Sequence, residues 1–178
     1  MQKDKFRKRA LKRLNSLSSQ QRYIRDKKIN SKLYEIIKRA KASSVMLYIP
    51  LDIEVDTLPL INRLRREGID LLVPFMVDSS FTLVKYRLPL YKKRFGIKEP
   101  KFSKQFRIKK IDIAVVPIIG FDISLKRIGF GKGMYDRFFS RNSNNIKEVV
   151  FVQRALCFSS KKITDKHDVR ADRVVTIN

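Results

Sequence analysis

The sequence is poor in the residues that build disulfide and zinc frameworks. It contains a single cysteine, Cys157, and a single histidine, His167. An intramolecular disulfide is therefore excluded, and so is a zinc site built from several Cys and His ligands. So low a cysteine content fits a reducing compartment, and we expect a cytoplasmic protein.

Long apolar runs are also missing. The longest, from Ile113 to Phe121, contains Pro117 and Gly120 and is far shorter than the ~20 residues that a membrane-spanning helix needs. The basic residues between Met1 and Asn15 alternate with isolated apolar ones and form no apolar core of a secretory signal. We therefore expect neither a membrane association nor export.

Acidic residues are scarce. The 17 Asp and Glu stand against 41 Lys and Arg, which gives a formal net charge of +24. The electric field of so large a positive charge attracts polyanions, including nucleic acid, and also steers small phosphorylated or carboxylated substrates. The basic residues are spread along the chain without a zinc-finger or aromatic RNA-binding motif. Charge alone therefore leaves a nucleic-acid partner possible but does not favour it over a small anionic substrate.

Hydrophobic periodicity predicts helices that alternate with strands. Helices are expected over Lys3 to Leu17, along the stripe from Ile29 to Ala40, between a Thr57 cap and Gly68, and over Met134 to Arg141. Strands are expected at Val45 to Ile49, Ile69 to Val73, Phe81 to Tyr86 (nearer an edge), Ile111 to Val116, Glu148 to Val152 and Arg173 to Ile177. This alternation predicts one α/β domain over residues 1–178, three layers deep, with a central, largely parallel sheet flanked by helices.

One glycine-rich segment, from Arg127 to Arg137, has a composition suited to phosphate. Alternating glycines let the backbone approach a ligand and aim its N–H groups at an anion, and a helix N-terminus adds a favourable dipole. Arg127 and Lys132 can supply positive charge, and Asp136 can hold a magnesium ion. A turn that serves backbone geometry alone is the alternative. The glycines are Gly129, Gly131 and Gly133.

The same segment, RIGFGKGMYDRFF, resembles the RLGxGxGYYDRFL signature of 5-formyltetrahydrofolate cyclo-ligases, also called methenyltetrahydrofolate synthetases. Five other segments resemble that family in the same order along nearly the whole chain. They are Lys3, Phe6 and Arg7 with Leu17-Ser18; Tyr48-Ile-Pro-Leu with Glu54-Val-Asp-Thr57; Phe95-Gly-Ile-Lys-Glu-Pro100; Val116-Pro-Ile-Ile-Gly-Phe-Asp122; and His167-Asp-Val-Arg-Ala-Asp172. The chain departs from the family pattern at Ile53, Phe75, Ile118 and Met134.

The resemblance implies an ATP- and Mg²⁺-dependent conversion of 5-formyltetrahydrofolate to 5,10-methenyltetrahydrofolate, with ADP and phosphate released. The formyl oxygen attacks the γ-phosphate, and nitrogen 10 then displaces phosphate. By resemblance, Lys132 and Arg127 are catalytic, Asp136 and Asp172 organise magnesium, and Glu54, Phe95 and Tyr135 bind the folate. The residues implied to bind ATP are Lys3, Arg7, Arg127, Gly129, Gly131, Lys132, Gly133, Met134, Tyr135 and Asp136.

Each of these assignments has a structural alternative. Lys3 and Arg7 could be solvent-facing helix charges, Glu54 could belong to a cap before the Thr57 helix, and Phe95 could be a core residue. Two other functions also stay open: a basic RNA-associated protein that has lost catalysis, and an ATP-dependent enzyme for another small anionic substrate. We expect a monomer whose partners are the two small-molecule substrates, 5-formyltetrahydrofolate and ATP.

Overall fold

The computed structural model describes residues 2–93, 98–101 and 110–178. Its helices are α1 (Gln2–Asn15), α2 (Ser19–Arg39), α3 (Leu58–Arg66) and α4 (Met134–Asn142), the last followed by a 3-10 turn at Ser143–Asn145. Among the described residues, no helix has both the length and the hydropathy needed to cross a membrane. The strands are β1 (Ser44–Met46), β2 (Asp70–Val77), β3 (Ser80–Lys85), β4 (Leu90–Lys92), β5 (Lys98–Pro100), β6 (Ile111–Pro117), β7 (Gly120–Asp122), β8 (Arg127–Ile128), β9 (Ile146–Val152), β10 (Phe158–Ser159) and β11 (Arg173–Val175).

The central sheet has six strands in the order β11-β9-β6-β1-β2-β3. All neighbouring pairs from β11 to β2 are parallel, whereas β3 lies at one edge and pairs with β2 antiparallel. The predicted α/β class and largely parallel sheet are therefore confirmed. The edge position of the 81–86 segment is confirmed as well, and its alternating sequence suits an antiparallel strand with one face more buried than the other.

Alternate residues of the central strands face two different helical layers, because successive side chains of a strand point to opposite faces. On one face, Val115 of β6 packs in a core cluster with Leu33 of α2 and Leu64 of α3. On the other face, Val116 packs in a second cluster with Phe138 of α4. The sheet is thus covered by α2 and α3 on one side and by α4 on the other.

Helix α1 packs outside the central sheet, against a small sheet with the strand order β10-β7-β8. Phe6, Ala10 and Leu14 lie on one stripe of the helix because they are four residues apart, and they are buried against Ile119 and Ile128. This packing fixes the direction of α1 and therefore where its basic side chains lie.

Some element boundaries differ from those expected. Strand β1 ends at Met46 rather than Ile49: the backbone N–H of Leu47 still bonds to Leu72, but the chain then leaves the sheet while remaining buried. The last strand ends at Val175 rather than Ile177, and β2 extends to Val77. An apolar run in the sequence indicates that its residues are buried, and burial continues past the last residue that pairs with a neighbouring strand.

Helix α3 begins after Thr57, as expected, but this residue does not cap it with its side chain. The hydroxyl donates instead to the carbonyl oxygen of Tyr48, at 2.7 Å, and the carboxylate of Asp56 accepts from the N–H of Leu58. The buried Tyr48 carbonyl competes successfully for the hydroxyl because an unsatisfied buried carbonyl is unfavourable. By contrast, Ser18 and Gln21 form a complete capping box at the start of α2.

Candidate active site

A cavity of about 460 Å³ lies where the first turns of α1, the loop between β8 and α4, and residues 163–168 meet. Many of the residues predicted to bind ATP line it, together with residues of α1 and of the 163–168 segment that were not predicted. The lining residues predicted from the sequence are Lys3, Arg7, Arg127, Gly129, Gly131, Gly133 and Asp136, and the additional ones are Gln2, Asp4, Ile163, Asp165, His167 and Asp168.

Helix α1 presents Lys3 and Arg7 to this cavity on one face, since they are four residues apart. The Lys3 ammonium lies 2.5 Å from Oδ2 of Asp168 and 3.1 Å from Oδ2 of Asp165. Nε of Arg7 donates to the carbonyl oxygen of Gly129 at 2.8 Å. These contacts argue against the alternative of purely solvent-facing charges, because both side chains bind groups across the cavity.

The glycine-rich loop is irregular backbone between β8 and α4, as predicted. Residues 129–133 belong to neither a strand nor a helix, and Gly133 precedes α4 with φ = 62°. This left-handed conformation strongly favours glycine. The first N–H groups of α4 are thereby left at the cavity edge, where the helix dipole favours an anion.

Arg127 is a buried cation at the base of the cavity. Its Nε donates to the carbonyl oxygen of Pro117 at 3.1 Å, and Cζ lies 4.7 Å from the centroid of the Tyr135 ring. Burial lowers the pKa of Arg127, while the neighbouring Tyr135 and Asp136 act in the opposite direction. An arginine side chain stays protonated in proteins, so the cavity keeps a fixed positive charge.

Asp122 fixes the segment that carries the additional acidic residues. Its fully buried carboxylate accepts from the N–H groups of Ile163 and Thr164, at 2.8 and 2.9 Å, and from the hydroxyl groups of Ser124 and Thr164. Burial alone would raise the pKa of Asp122, but these hydrogen bonds outweigh it and hold the pKa well below its usual value. The 163–168 segment is therefore tied to the small sheet.

The acidic side chains of the cavity offer oxygen ligands to a cation. Ligand atoms of Asp165, His167 and Asp168 lie within 4.8 Å of one another, and Asp136 lines the same cavity while its Oδ1 accepts from Val169 at 3.2 Å. The hydrogen bond and charge of Lys3 lower the pKa of Asp165. Carboxylate oxygens are the ligands that Mg²⁺ prefers.

Asp172, the second residue predicted to organise magnesium, is not brought into this cavity. Its Oδ2 accepts from the backbone N–H of Val149 at 2.8 Å, and its own N–H bonds to the carbonyl oxygen of Val149. The side chain therefore bonds to the backbone in the middle of β9. Asp168, in the same HDVRAD segment, is the acidic residue that lines the cavity instead.

Glu54 occupies a half-buried position near Arg127 and Tyr135. Burial raises the pKa of Glu54 to about 7, and the N–H of Leu51 and the charges of Arg127 and Arg154 only partly oppose this effect. Its Oε2 accepts from Leu51 at 3.0 Å, so it stabilises its own loop and does not cap α3. Burial, and then the charge of Glu54, raise the pKa of Tyr135 as well.

A buried ion pair that sequence reasoning missed holds the Glu54 loop. Nε and Nη2 of Arg154 lie 2.7 and 2.8 Å from the two carboxylate oxygens of Asp26 on α2. The same guanidinium donates to the carbonyl oxygens of Asp52 and Glu54. One arginine thus joins α2, the end of β9 and the loop of Glu54, and no local motif indicates this pairing.

Lys132, Met134 and Tyr135, which were also predicted, do not line the cavity. Lys132 is exposed in the glycine-rich loop, and its carbonyl oxygen accepts from Arg137 at 2.6 Å. Met134 packs partly against the core cluster on the α4 face. Tyr135 contacts the ring of Phe81 edge-on, with 5.0 Å between centroids. Phe95 falls outside the described residues.

Comparison with known proteins places this chain among folate enzymes. A family model described as the 5-formyltetrahydrofolate cyclo-ligase family matches residues 1–177. A relative from Haemophilus influenzae, named 5-formyltetrahydrofolate cyclo-ligase, is 26% identical over 129 residues, which cover 68% of this chain and 69% of the relative.

Two solved structures have the same fold. The 5,10-methenyltetrahydrofolate synthetase of Aquifex aeolicus superposes with a TM-score of 0.82 at 30% identity, covering 99% of this chain and 90% of that one. The 5,10-methenyltetrahydrofolate synthetase of Mycoplasma pneumoniae superposes with a TM-score of 0.79 at 22% identity, covering 98% of each chain. The fold expected from the sequence therefore extends over nearly the whole chain.

Proposed function

Because this chain belongs to the 5-formyltetrahydrofolate cyclo-ligase family, we propose that it converts 5-formyltetrahydrofolate to 5,10-methenyltetrahydrofolate at the expense of ATP. The observation that carries the proposal is the convergence of Lys3, Arg7 and Arg127 on one cavity beside a glycine-rich loop and a helix N-terminus. Cations and backbone N–H groups arranged in this way suit a triphosphate.

The two substrates would occupy adjoining parts of the site. The triphosphate would lie against Lys3, Arg7 and the glycine-rich loop, with Lys132 reaching the transferred phosphoryl group from the loop. The folate would lie beside Glu54 and Tyr135, with Phe95 as a further wall. The buried Arg127 lies beneath Tyr135 and would stabilise negative charge where the two substrates meet.

The reaction needs placement and charge stabilisation rather than a protein nucleophile. The formyl oxygen of the folate attacks the γ-phosphorus, the bond to the β-phosphate oxygen breaks, and ADP leaves with the electron pair. Nitrogen 10 then attacks the activated formyl carbon and loses its proton. The carbon–oxygen bond breaks, phosphate leaves, and the methenyl bridge closes. Arg127 and Lys132 would stabilise the charge that develops on the transferred group.

The acidic side chains fit a magnesium ion, because carboxylate oxygens of Asp136, Asp165 and Asp168 border the cavity that holds the cationic side chains. When bound, Mg²⁺ supplies charge neutralisation for the triphosphate. Asp136 is bonded to the backbone of Val169, and Asp168 to Lys3, so both carboxylates are oriented before the substrate arrives. We propose these residues, rather than Asp172, as the magnesium-binding group.

We further propose that the chain acts as a monomeric, single-domain enzyme in the cytoplasm. A reaction of two small molecules needs no partner chain, and the residues proposed for ATP and folate all belong to this chain. The single cysteine fits a reducing compartment.

The direct test is an absorbance assay with purified protein, 5-formyltetrahydrofolate and Mg-ATP. Formation of the methenyl product that requires both substrates supports the proposal. A panel of other small carboxylated substrates, monitored by release of ADP, provides the comparison. ADP release with another member of the panel, without any formation of the methenyl product, would overturn it.

A further inference from the structure

A second cavity lies on the opposite side of α1 from the candidate active site. It has a volume of about 720 Å³ and is bordered by α1 and by residues 156–163. We call it the basic groove, defined by Lys5, Arg9, Arg13, Phe158 and Lys161. The proposed chemistry uses none of these five side chains, although Gln2 and Ile163 border both cavities.

The basic groove carries positive charge that the protein itself leaves unneutralised. Lys5, Arg9 and Arg13 follow one another at intervals of four residues, so they form a row on α1 with a step of about 6 Å. Within the described part of the chain, neither these three side chains nor Lys161 have a carboxylate at salt-bridge distance, and no acidic residue borders the groove. Lys3 and Arg7, on the other face, both have acidic partners.

An aromatic side chain completes the groove. Phe158 is 45% exposed, and its ring lies against that of Phe121 at 5.2 Å between centroids, with 48° between the planes. Part of the ring thus contacts the protein while the rest remains accessible. A single exposed phenylalanine needs no explanation by itself, but here it stands beside a row of cations.

Cations that follow a groove, with an aromatic ring beside them, are the combination by which proteins bind single-stranded nucleic acid without sequence preference. We propose that the basic groove binds single-stranded nucleic acid. The phosphates would lie along Lys5, Arg9 and Arg13, with Lys161 on the facing wall, and a base would stack on Phe158.

The groove suits this ligand better than two other polyanions. An acidic polypeptide could use the cations but has no flat ring for each negative charge, so it would leave the Phe158 face unused. An anionic membrane attracts cations that lie close to its flat surface, whereas this site is concave and has Ser159 and Ser160 in its wall. The proposal is independent of the cyclo-ligase activity, because it concerns other side chains.

The test is fluorescence anisotropy with a labelled oligouridylate of about 12 nucleotides, a length within the known range of such sites. The full chain is titrated over a series of salt concentrations. The Arg9→Ala/Arg13→Ala variant should bind more weakly, and its slope of log K against log salt should be smaller by about 1.4, because two phosphate contacts are lost.

The matched control is Lys28→Ala/Lys32→Ala. It removes the same charge from exposed positions four residues apart on α2. If the net charge of the whole protein were responsible, both double variants would weaken binding equally, and this result would overturn the proposal. A clear difference between them supports the groove.

Phe158 distinguishes nucleic acid from other polyanions. Phe158→Ala should weaken oligouridylate binding by about 5- to 150-fold, since the stacking of one base is lost, and Phe158→Trp should retain it. Cyclo-ligase turnover should not change in any of these variants. Binding that Phe158→Ala leaves unaltered, or equal competition by poly-glutamate or by anionic vesicles, would overturn the assignment to nucleic acid.

Discussion

The guanidinium group of Arg127 packs directly against the backbone of Gly129, so that a Cβ atom on Gly129 would lie 2.5 Å from Cζ of the arginine. Gly129 is itself buried, and Arg127 is held by Pro117 and by the Tyr135 ring. A methyl group at position 129 must therefore displace the guanidinium group from this position.

Gly129→Ala should lower kcat/KM by about 100-fold, since a misplacement of about 1 Å in a catalytic group can have that effect. The measurement is steady-state kinetics with both substrates. Gly68→Ala is the control: Gly68 has a positive φ, of 77°, but open space around the position of Cβ, so the substitution should lower stability and leave kcat/KM unchanged. An unaltered kcat/KM for Gly129→Ala would remove Arg127 from the catalytic group.

Lys132→Ala should lower kcat by about 100- to 1000-fold, because a charge that stabilises the phosphoryl-transfer transition state contributes a few kcal/mol. The free energy of unfolding should change by less than about 0.5 kcal/mol, as is usual for exposed side chains. Lys147→Ala, also at an exposed position, provides the control for loss of one charge. Full turnover in the Lys132 variant would contradict the catalytic role.

Asp168→Asn should raise the Mg²⁺ concentration needed for half-maximal activity by about 10-fold, since groups that bind or orient a metal commonly have effects of this size. Asp172→Asn makes the same chemical change outside the cavity, where the side chain accepts from Val149, and should leave the Mg²⁺ dependence as it is. The two titrations decide between these carboxylates. The reverse pattern would restore Asp172 to the metal site.

Glu54→Gln should weaken folate binding by about 30- to 150-fold at pH 8, because a charge-assisted pair with the N–H groups of the pterin is lost. In the unaltered protein the folate affinity should rise with pH through about 7, as the carboxyl group ionises. The variant should show no such rise, and ATP binding should barely change. Calorimetric titration of each ligand over a pH series measures this, and equal weakening of ATP and folate would contradict it.

The same variant makes a prediction about stability in the absence of ligand. The pKa of Glu54 is raised from 4.5 to about 7 in the folded protein, so between these values the unfolded chain ionises before the folded one. The free energy of unfolding therefore falls as pH rises from 4.5 to about 7, because ionising Glu54 is less favourable in the folded protein than in the unfolded chain. Glu54→Gln should melt at a higher temperature than the unaltered protein at about pH 8 and show no such advantage at about pH 4.

Arg154→Met should reduce the free energy of unfolding by about 3 to 5 kcal/mol, because the Asp26 carboxylate would be left buried without its partner. Chemical denaturation measures the change. Arg39→Met is the control, since that side chain is 83% exposed and lies 3.7 Å from Glu35; its loss should cost less than about 1 kcal/mol. Equal effects of both changes would show that the Asp26 pair is not a stabilising contact.

Much of the fold follows from the sequence because its elements have strong periodic patterns. The apolar run of β6 and the stripe of α2 predicted a buried strand and an amphipathic helix, and the structure confirms both. The end of β1 and the role of the Thr57 hydroxyl were predicted incorrectly. The Thr57 hydroxyl bonds to a carbonyl oxygen of another segment, and β1 ends where its pairing stops although the following residues stay buried. A local pattern contains neither piece of information.

Six ordered segments of the sequence identify the family, and the sequence also supplies the chemical types found at the candidate site: cations, glycines and carboxylates. Which of these residues meet depends on the tertiary structure. Lys3 pairs with Asp168, which is 165 residues away along the chain, and Asp172 turns to β9 instead. The raised pKa of Glu54 and the Arg154–Asp26 pair were decided in the same way, because burial and long-range pairing depend on neighbours that only packing brings together.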